Sequence, residues 1–476
     1  MVDPRRVAGV LLPLLVVAAP AQAVELSWYT EHRFFGESIP LEVLATRLRA
    51  TETATGASSR AVYQGHLVLG LRGRPTDALG LRFGLDSGLV EIGSAGVYAD
   101  GRSFGDQAKK TLFLGETYFD LELGETGVVE IRGGKRITRV GDGVLFDAYA
   151  FGLDLDVDLS LVEADNPIRV HADALLPDTT FTAAGKTSPL FALQVDLVSN
   201  PLDVWVLGAA FVDGDDDLAL IVTDAAFRGK YGQLCTLVAR RRGLPSVCDG
   251  SALTVGTRGA LGWAGVGLRL SEERWDLSAS GYLGLGSTAA TFRLPGAVRA
   301  VDAEIRYLSG LGALSANLRP TEALRLGAFG LVVSGDDGFS TLATTQTHHG
   351  FVSLSPRLGY TRIFFNGGLS SSLQSITVSS VSPDGAGLVS GGLNLSWGIS
   401  EDLVVRATGA LMASLFPSPS TGTHLLGGET DLSLEYFFTP ELSARAEGAV
   451  FLPGSYYGEI QSGFQIVAGL IWAHGA

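Results

Sequence analysis

The chain has 476 residues, of which 46% are hydrophobic and 18% are charged, and its formal net charge is −15 at pH 7. This acidic balance argues against nucleic acid as a partner. The mean hydropathy of +0.27 is high for a soluble protein, yet no run of about 18 apolar residues follows the first 23, which excludes a membrane-spanning helix.

The first 23 residues have the features of a secretory signal peptide. Arg5 and Arg6 are positively charged, residues 7–19 form an apolar core, and Ala21-Gln22-Ala23 is a small-residue cleavage site. We therefore predict that residues 1–23 are removed and that residues 24–476 form an outer-membrane β-barrel.

Eight short polar turns divide the mature chain. Most contain Asn, Asp, Pro or Gly, which favour tight turns. They lie at residues 75–77, 124–127, 165–167, 200–201, 271–273, 320–322, 400–402 and 439–441. Nine longer connections alternate with them, centred near Gly56, Gly101, Asp142, Gly185, the segment of Cys235 and Cys248, Leu294, residues 336–385, Ser418 and Tyr456.

These connections imply nine pairs of ascending and descending strands. The sequence therefore predicts an all-β fold: a single antiparallel transmembrane β-barrel of 18 strands, with short periplasmic turns and long external loops. A barrel of 16 strands is the alternative, because the two longest intervals can be divided in more than one way. No linker or change in composition points to a second domain in the mature chain.

Individual strands alternate between apolar and polar residues, as expected when one face meets lipid and the other meets water. Leu432 and Leu434 share one face, while Asp431 and Glu435 share the other. The last strand carries an apolar face made of Phe464, Ile466, Leu470 and Trp472. Because it resembles the closing strand that barrel-assembly machinery recognises, we expect that machinery and outer-membrane lipid as partners.

The predicted inward face carries charges of both signs. We predict that the pore is lined by Glu116, Asp120, Glu122, Glu130, Arg132, Arg136, Asp154, Asp156, Asp158, Arg169, Arg306, Arg325, Arg406, Asp431, Glu435 and Arg445. Two interpretations stay open: these charges pair across neighbouring strands and hold the wall together, or unpaired members set the ion selectivity of a channel. Acids outnumber bases in the predicted lumen, which favours cations over polyanions.

Two long segments are candidates for narrowing the passage, residues 213–251 and 336–385; each can fold inward or cap the barrel from outside. The first contains Cys235 and Cys248. In an oxidising envelope we expect a disulfide between them, with free thiols as the alternative. No histidine lies near this pair, so we predict no metal site there.

Two short stretches carry a family resemblance. Residues 133–146 (GGKRITRVGDGVLF) resemble the Gly-Arg-Gln element and Gly-Asp-x-x-Leu loop of the alginate-export family of outer-membrane porins. Residues 428–432, followed by Phe451-Leu452-Pro453-Gly454, resemble the end of the same family. The resemblance implies an 18-stranded barrel that exports a polysaccharide.

These features predict a channel of the bacterial outer membrane, a porin or exporter for the passive passage of small solutes or a polysaccharide. No cofactor is expected. The seven histidines form no recognisable catalytic motif, so we predict no enzyme activity and no catalytic residues. The alternative is a structural or adhesive barrel whose long external loops bind a partner.

Overall fold

A computed structural model describes the chain over most of its predicted strands. The described residues are 24–38, 59–87, 90–92, 113–124, 128–159, 168–177, 188–214, 254–293, 301–336, 345–354, 358, 360–365, 378–380, 386–418 and 421–474. Residues 1–23, with the predicted signal peptide, and the segment of Cys235 and Cys248 lie outside them. Within the described ranges, no helix is long and apolar enough to cross a membrane.

Nearly all regular structure in the described residues is β-strand, with one short 3-10 turn at Ser455–Tyr457. The strands are β1 (Glu25–Ser38), β2 (Ser59–Thr76), β3 (Leu79–Asp86), β4 (Val90–Ile92), β5 (Phe113–Leu123), β6 (Val129–Val140), β7 (Phe146–Asp158), β8 (Ile168–Pro177), β9 (Leu190–Ser199), β10 (Leu202–Asp213), β11 (Thr254–Ser271), β12 (Trp275–Arg293), β13 (Val301–Thr321), β14 (Leu324–Val333), β15 (Thr345–His348), β16 (Val352–Leu354), β17 (Val378–Ser380), β18 (Leu388–Gly398), β19 (Leu403–Ala413), β20 (Leu425–Thr439), β21 (Leu442–Pro453) and β22 (Gly463–His474).

The strands close into an antiparallel barrel. Neighbours along the chain pair with each other, and β1 pairs with β22 to complete the ring. Strand β4 continues β3 along the edge of β2, while β15, β16 and β17 belong to the segment between β14 and β18. The wall therefore has 18 strands, which confirms the predicted number and rules out 16.

Every second connection of this wall, beginning with that between β2 and β3, lies at one end, which we call the turn end, and the connections that alternate with them lie at the other, the loop end. Most connections at the turn end are short. Strands β9 and β10, for example, are joined at Asn200-Pro201, and β20 and β21 are joined beside Pro440. Which end faces the periplasm stays a prediction. The longest strands are β12 and β13, with 19 and 21 residues, followed by β2 and β11 with 18 each, and β15 pairs in parallel with the loop end of β13.

The wall has an apolar outer face, because alternate residues of each strand carry exposed hydrophobic side chains. Leu393 on β18 is 69% exposed and Leu411 on the neighbouring β19 is 68% exposed. The predicted outward face of the last strand is confirmed, since Phe464, Ile466, Leu470 and Trp472 are all about half exposed. The opposite set of residues is buried or points into the ring.

A large apolar core fills part of the barrel interior near the loop end. Wall residues such as Phe211, Trp263 and Tyr282 belong there to one buried cluster with Leu145 and Phe364, which come from connections between strands. A ring of 18 strands is too wide for its own side chains to fill. The core therefore forms only because segments of connecting chain fold inward.

Candidate channel lining and constriction

The interior wall carries a band of charged side chains on strands β5 to β8. Arg132 on β6 donates from Nε to Glu130 Oε1 over 2.6 Å, and its Nη1 lies 3.5 Å from the carboxylate of Asp156 on β7. All three side chains are about a third exposed. Because these side chains are partly exposed, their mutual attraction is weak and an ion in the passage can approach them.

Deeper in the same band the charges are buried. Arg136 on β6 forms an ion pair with Asp154 on β7, and its Nη2 lies 3.4 Å from Asp173 on β8. His171 lies between Asp156 and Asp173, with its Nε2 2.9 Å from Asp173. The antiparallel register brings these side chains together, because Asp154 is opposite Asp173 and Asp156 is opposite His171. His171 is not among the predicted lining residues, although it shares the inward alternation of Arg169.

Asp154, His171 and Asp173 also have the residue types of a metal site, with ligand atoms within 4.8 Å of one another. The guanidinium of Arg136 contacts the two carboxylates of this group. It supplies positive charge beside these carboxylates, as a metal ion would. The cluster is therefore best described as an internal ion-pair network that fixes strands β6, β7 and β8 together.

Further charged pairs continue the band towards the turn end and around the ring. Arg82 on β3 pairs with Glu116 on β5 over 3.0 Å, and Arg169 pairs with Asp158 over 2.6 Å. The remaining pairs are Arg74 with Asp120 and Glu122, Arg406 with Glu435, and Arg445 with Glu447. Arg325 shares the interior face of buried Phe329 and Leu331. Of the two interpretations of the predicted lining, cross-strand pairing is therefore observed for most of its members.

Arg306 was predicted to line the pore, but it lies on the outer face of the wall. Along β13 it alternates with Ile305 and Tyr307, which are 0% and 4% exposed, and it shares the face of exposed Leu308. Its side chain therefore lies on the outer face, where its Nε donates to Glu304 over 3.1 Å. The apolar residues point inward here because the loop end of the barrel encloses an apolar core instead of water.

The part of the wall formed by β12 and β13 is uncharged at mid-height. Ser278 on β12 and Ser315 on β13 hydrogen-bond to each other over 2.7 Å, and Tyr282 and Leu311 lie further towards the loop end. The lining thus varies around the ring: β5 to β8 and β19 to β21 carry charges of both signs, while β12 and β13 present hydroxyl groups and apolar surface.

Two segments fold into the barrel and meet there. The first is residues 141–145, which connect β6 to β7, and the carbonyl oxygen of Gly141 accepts a hydrogen bond from Tyr282 Oη over 2.8 Å. The second is the segment between β14 and β18, where Trp263 Nε1 donates to the carbonyl oxygen of Val352 over 2.9 Å. Leu354 N donates to the carbonyl oxygen of Leu145 over 2.8 Å, which joins the two segments.

The second segment also reaches the wall formed by β20 and β21, through residues 360–365. Thr361 Oγ1 donates to Glu429 Oε2 over 2.8 Å, and the main-chain N–H of Phe364 donates to the same oxygen over 2.9 Å. Arg362 donates from its main-chain N to Asp431 Oδ2 over 3.1 Å and forms a two-pronged ion pair with Glu447. We call Glu429, Asp431 and Glu447 the acidic cup.

Aromatic rings hold the same segment against the wall. Tyr360 stacks on Phe329 of β14 with 4.5 Å between ring centroids, and Phe364 stacks on Phe451 of β21 with 6.1 Å between centroids. Residues 351–365, part of the predicted constriction, therefore lie inside the ring where they are described. The other predicted segment, residues 213–251, lies almost entirely outside the described part of the chain.

Asp431 is among the predicted lining residues, but its partner Arg362 is not. The alternation along β20 and β21 identifies the cup residues as inward-facing, but no periodic pattern predicts which residue of a connecting segment reaches them. The other signal is compositional: Thr361-Arg362-Ile363-Phe364-Phe365 is an unusually apolar run for a solvated loop.

No family model and no curated protein matches the sequence. The fold, however, is that of solved outer-membrane porins of the Occ and Opd type. Pseudomonas aeruginosa OpdQ superimposes with a TM-score of 0.52 at 9% identity, covering 95% of this chain and 98% of that one. Pseudomonas aeruginosa OccK11 (OpdR) superimposes with a TM-score of 0.51 at 10% identity, covering 94% of this chain and 95% of that one. Acinetobacter baumannii OccAB3 superimposes with a TM-score of 0.51 at 9% identity, covering 95% of this chain and 99% of that one.

The resemblance to the alginate-export family is therefore not supported. The stretch that suggested it, residues 133–146, forms the end of β6 and the inward segment 141–145. Its glycines meet local geometric demands: a Cβ on Gly133 would lie 2.6 Å from the ring of Phe119, and Gly134 has a φ of +134°. Such demands arise from packing and backbone conformation in a barrel wall and carry no information about cargo.

Proposed function

We propose that this protein is a channel of the bacterial outer membrane through which small solutes pass passively. The observation that carries the proposal is a closed ring of 18 strands with an apolar exterior and a charged, partly exposed interior. A barrel of this size encloses more space than its wall side chains fill, so it leaves an aqueous passage unless connecting segments close it. The likeness in fold to Occ and Opd porins supports the same function.

The secretion features of residues 1–23 and the aromatic closing strand support delivery to that membrane. Outer-membrane lipid would cover the exposed leucines, and barrel-assembly machinery would insert the chain. The turn end would then face the periplasm and the loop end the exterior, as in barrels of this class.

The inward segments favour small solutes over a polysaccharide. Residues 141–145 and the described residues of 351–365 meet inside the ring and pack against wall strands β11, β12, β20 and β21. The remaining passage runs along the charged band on β5 to β8, where Arg132, Glu130 and Asp156 are part-exposed. Most of these charges are paired and acids are in excess, so we expect weak selectivity for cations.

Reconstitution tests this function directly. Refolded protein in liposomes should admit small sugars in a swelling assay, with a rate that falls steeply as sugar size increases. In a planar bilayer under a KCl gradient, the reversal potential should have the sign of a cation-preferring pore. A folded barrel that admits no solute and carries no current would contradict the proposal and favour a structural or adhesive role.

A further inference from the structure

The side chain of Trp205 lies on the inner face of β10, at the edge of the apolar core. Leu207 and Phe211, which follow on the same face towards the loop end, are buried in that core, whereas Trp205 is partly exposed. Asp203, the next inner residue towards the turn end, is also partly exposed. Trp205 therefore lies where the core ends and the open interior begins.

The indole ring lies against the neighbouring strand β11, where two glycines leave room for it. A Cβ on Gly267 would be 2.2 Å from Cε2 of the indole, and a Cβ on Gly265 would be 3.2 Å from its Cζ3. The ring of Tyr282 on β12 reaches Gly265 from the other side, and the centroids of the two rings are 5.7 Å apart. The wall thus covers part of the indole, and the remainder of the ring is turned to the interior.

Hydrogen-bonding side chains surround the ring along the wall. Asp196 on β9 lies opposite Trp205, and Gln194 donates from Nε2 to Asp196 Oδ1 over 2.8 Å. On the far side of β11, Ser280 shares the same row across the sheet. The next inner row towards the turn end contains Asp203, Arg269 and Ser278. The indole therefore has carboxylate acceptors as well as N–H and O–H donors around it.

Asp142 approaches the same place from the inward segment 141–145. The preceding residue, Gly141, is held by the hydroxyl group of Tyr282. The side chain of Asp142 is exposed to the interior, yet it loses part of its hydration there, which raises its pKa; the positive charge of Arg269 opposes this rise and the negative charge of Asp196 adds to it. These two influences place the carboxylate of Asp142 near the polar groups around the indole.

This place adjoins the passage along the charged band. In the row that contains Trp205, Arg169 on β8 lies opposite Asp196, and Asp158 on β7 lies opposite Arg169. The side chain of Arg169 is 52% exposed. A solute that moves along the band therefore reaches the indole beside the constriction.

An aromatic surface ringed by a few polar groups is typical of sites for small organic molecules. The face of an indole is apolar and carries partial negative charge, so it favours C–H groups. A hydroxyl group both donates and accepts hydrogen bonds, and both kinds of partner are present here. An organic cation would use the acceptors alone and would be opposed by Arg269. A carboxylate solute would be opposed by Asp142 and Asp196.

We propose that this surface is a subsite for the ring of a neutral sugar, which stacks its C–H groups on Trp205 and hydrogen-bonds through its hydroxyl groups to the surrounding side chains. We call it the Trp205 subsite; its members are Trp205, Asp142, Gln194, Asp196, Arg269 and Ser280. The inference rests on the proposed channel function and names the class of small solute that the passage favours.

Titration of the ion current tests the subsite. Wild-type protein in a planar bilayer in KCl is titrated with methyl glucoside, with sorbitol and with choline chloride. Methyl glucoside should reduce the current in a saturable way, because a bound ring narrows the passage beside the constriction. Sorbitol has hydroxyl groups but no ring, so it should lower the current only in proportion to viscosity. Choline, a quaternary cation, should not saturate either.

Variants at the indole identify the stacking surface. Trp205→Leu should raise the half-effect concentration of methyl glucoside about tenfold, which corresponds to about 1.4 kcal/mol of binding free energy. Trp205→Phe keeps an aromatic ring and should raise it less.

A glycine variant moves the ring without changing its chemistry. Gly267→Ala introduces a Cβ where the indole lies and should weaken the effect of methyl glucoside as well. Gly262→Ala on the same strand is the control, because the nearest atoms to its Cβ would be main-chain oxygens at 3.7 and 3.8 Å. Its half-effect concentration should equal that of the wild type. Gly267→Ala and Trp205→Phe keep the proposal testable if Trp205→Leu does not fold.

Three results would overturn the proposal: no saturation by methyl glucoside, equal saturation by sorbitol or choline, or an unchanged half-effect concentration in the folded Trp205 and Gly267 variants. Current in KCl alone is recorded first, because a complete absence of current would contradict the channel function and not the subsite. In that case, saturation-transfer NMR of methyl glucoside with detergent-solubilised protein decides the subsite alone. Transfer should occur in the wild type and be lost in Trp205→Leu, and equal transfer in both would contradict it.

Discussion

The indole N–H of Trp263 on β11 hydrogen-bonds to the main-chain carbonyl oxygen of Val352, over 2.9 Å, inside the barrel. The two residues are 89 positions apart in the chain, and both are at most 4% exposed. This bond links the wall to the segment between β14 and β18 at a point where the surroundings are apolar. A substitution at Trp263 therefore tests specifically what holds this segment inside the barrel.

We predict that Trp263→Phe weakens the docking of this segment without unfolding the barrel. The substitution keeps an aromatic ring but leaves the Val352 carbonyl without the indole donor, at a cost of about 1–2 kcal/mol. The ratio of detached to docked segment should rise by a factor of about 5–30. Single-channel recordings should show this as more frequent current transitions.

Trp397→Phe is the matched control, because Trp397 is 48% exposed on the outer face of β18. Its current traces should match those of the wild type. If Trp263→Phe shows no more current transitions than Trp397→Phe, the hydrogen bond to Val352 does not hold the segment.

A weaker effect is expected where Tyr282 contacts residues 141–145. The carbonyl oxygen of Gly141 accepts from Tyr282 Oη over 2.8 Å and also from Val144 N over 2.9 Å. Tyr282→Phe leaves the second donor in place, so we expect a loss of about 0.5–1.5 kcal/mol. Urea unfolding and transition frequency should both change less than in Trp263→Phe. The outer-face variant Tyr436→Phe is the control, and a larger effect in it than in Tyr282→Phe would contradict the assignment.

The wall was predictable from the sequence because its physics is local and repetitive. Period-two alternation identified the outward residues of β20 and β22, and the polar turns fixed the strand number, since each strand must cross the same apolar layer. The constriction was not predictable to the same degree. Contacts such as Trp263 with Val352 join positions far apart in the chain, and no periodic pattern encodes them.

At Arg306 the usual alternation is reversed: the charged residues of β13 face outward and the apolar residues face inward. The alternation rule assigns polar residues to the lumen because the lumen contains water, and along most of the wall that assumption holds. At the loop end of β13, the ring of Tyr307 lies 5.9 Å from that of His348 on β15, and Ile305 is fully buried. The interior is apolar there, so the same alternation places the charged residues outside.

Gly134 should be sensitive to any added side chain. Its φ is +134°, and a Cβ there would lie 2.3 Å from the carbonyl oxygen of Thr117 on β5. We predict that Gly134→Ala destabilises the barrel by about 3 kcal/mol through combined strain and overlap. Gly208→Ala is the control, because a Cβ on Gly208 meets nothing within 4 Å. Urea unfolding in lipid vesicles should separate the two variants clearly, and equal stability would contradict the backbone geometry at Gly134.

The charged band should set ion selectivity through its exposed members. Arg132 and Asp156 lie 3.5 Å apart and are 31% and 35% exposed. Arg132→Gln removes a positive charge from the passage and should shift the reversal potential under a KCl gradient by a few millivolts towards cations. Asp156→Asn removes a negative charge and should shift it by a similar amount in the opposite direction. The double variant keeps the net charge of the wild type and should therefore return close to the wild-type potential.

Arg306→Gln tests whether ion selectivity depends on the charges that line the passage or on the net charge of the whole molecule. It removes the same charge as Arg132→Gln, but from the outer face of β13. At about 1 M KCl the Debye length is about 3 Å, so a charge behind the wall contributes almost nothing to the potential in the passage. The reversal potential of Arg306→Gln should equal that of the wild type. A shift as large as that of Arg132→Gln would mean that ions pass the outer face of β13, which would contradict the alternation of exposed and buried residues along that strand.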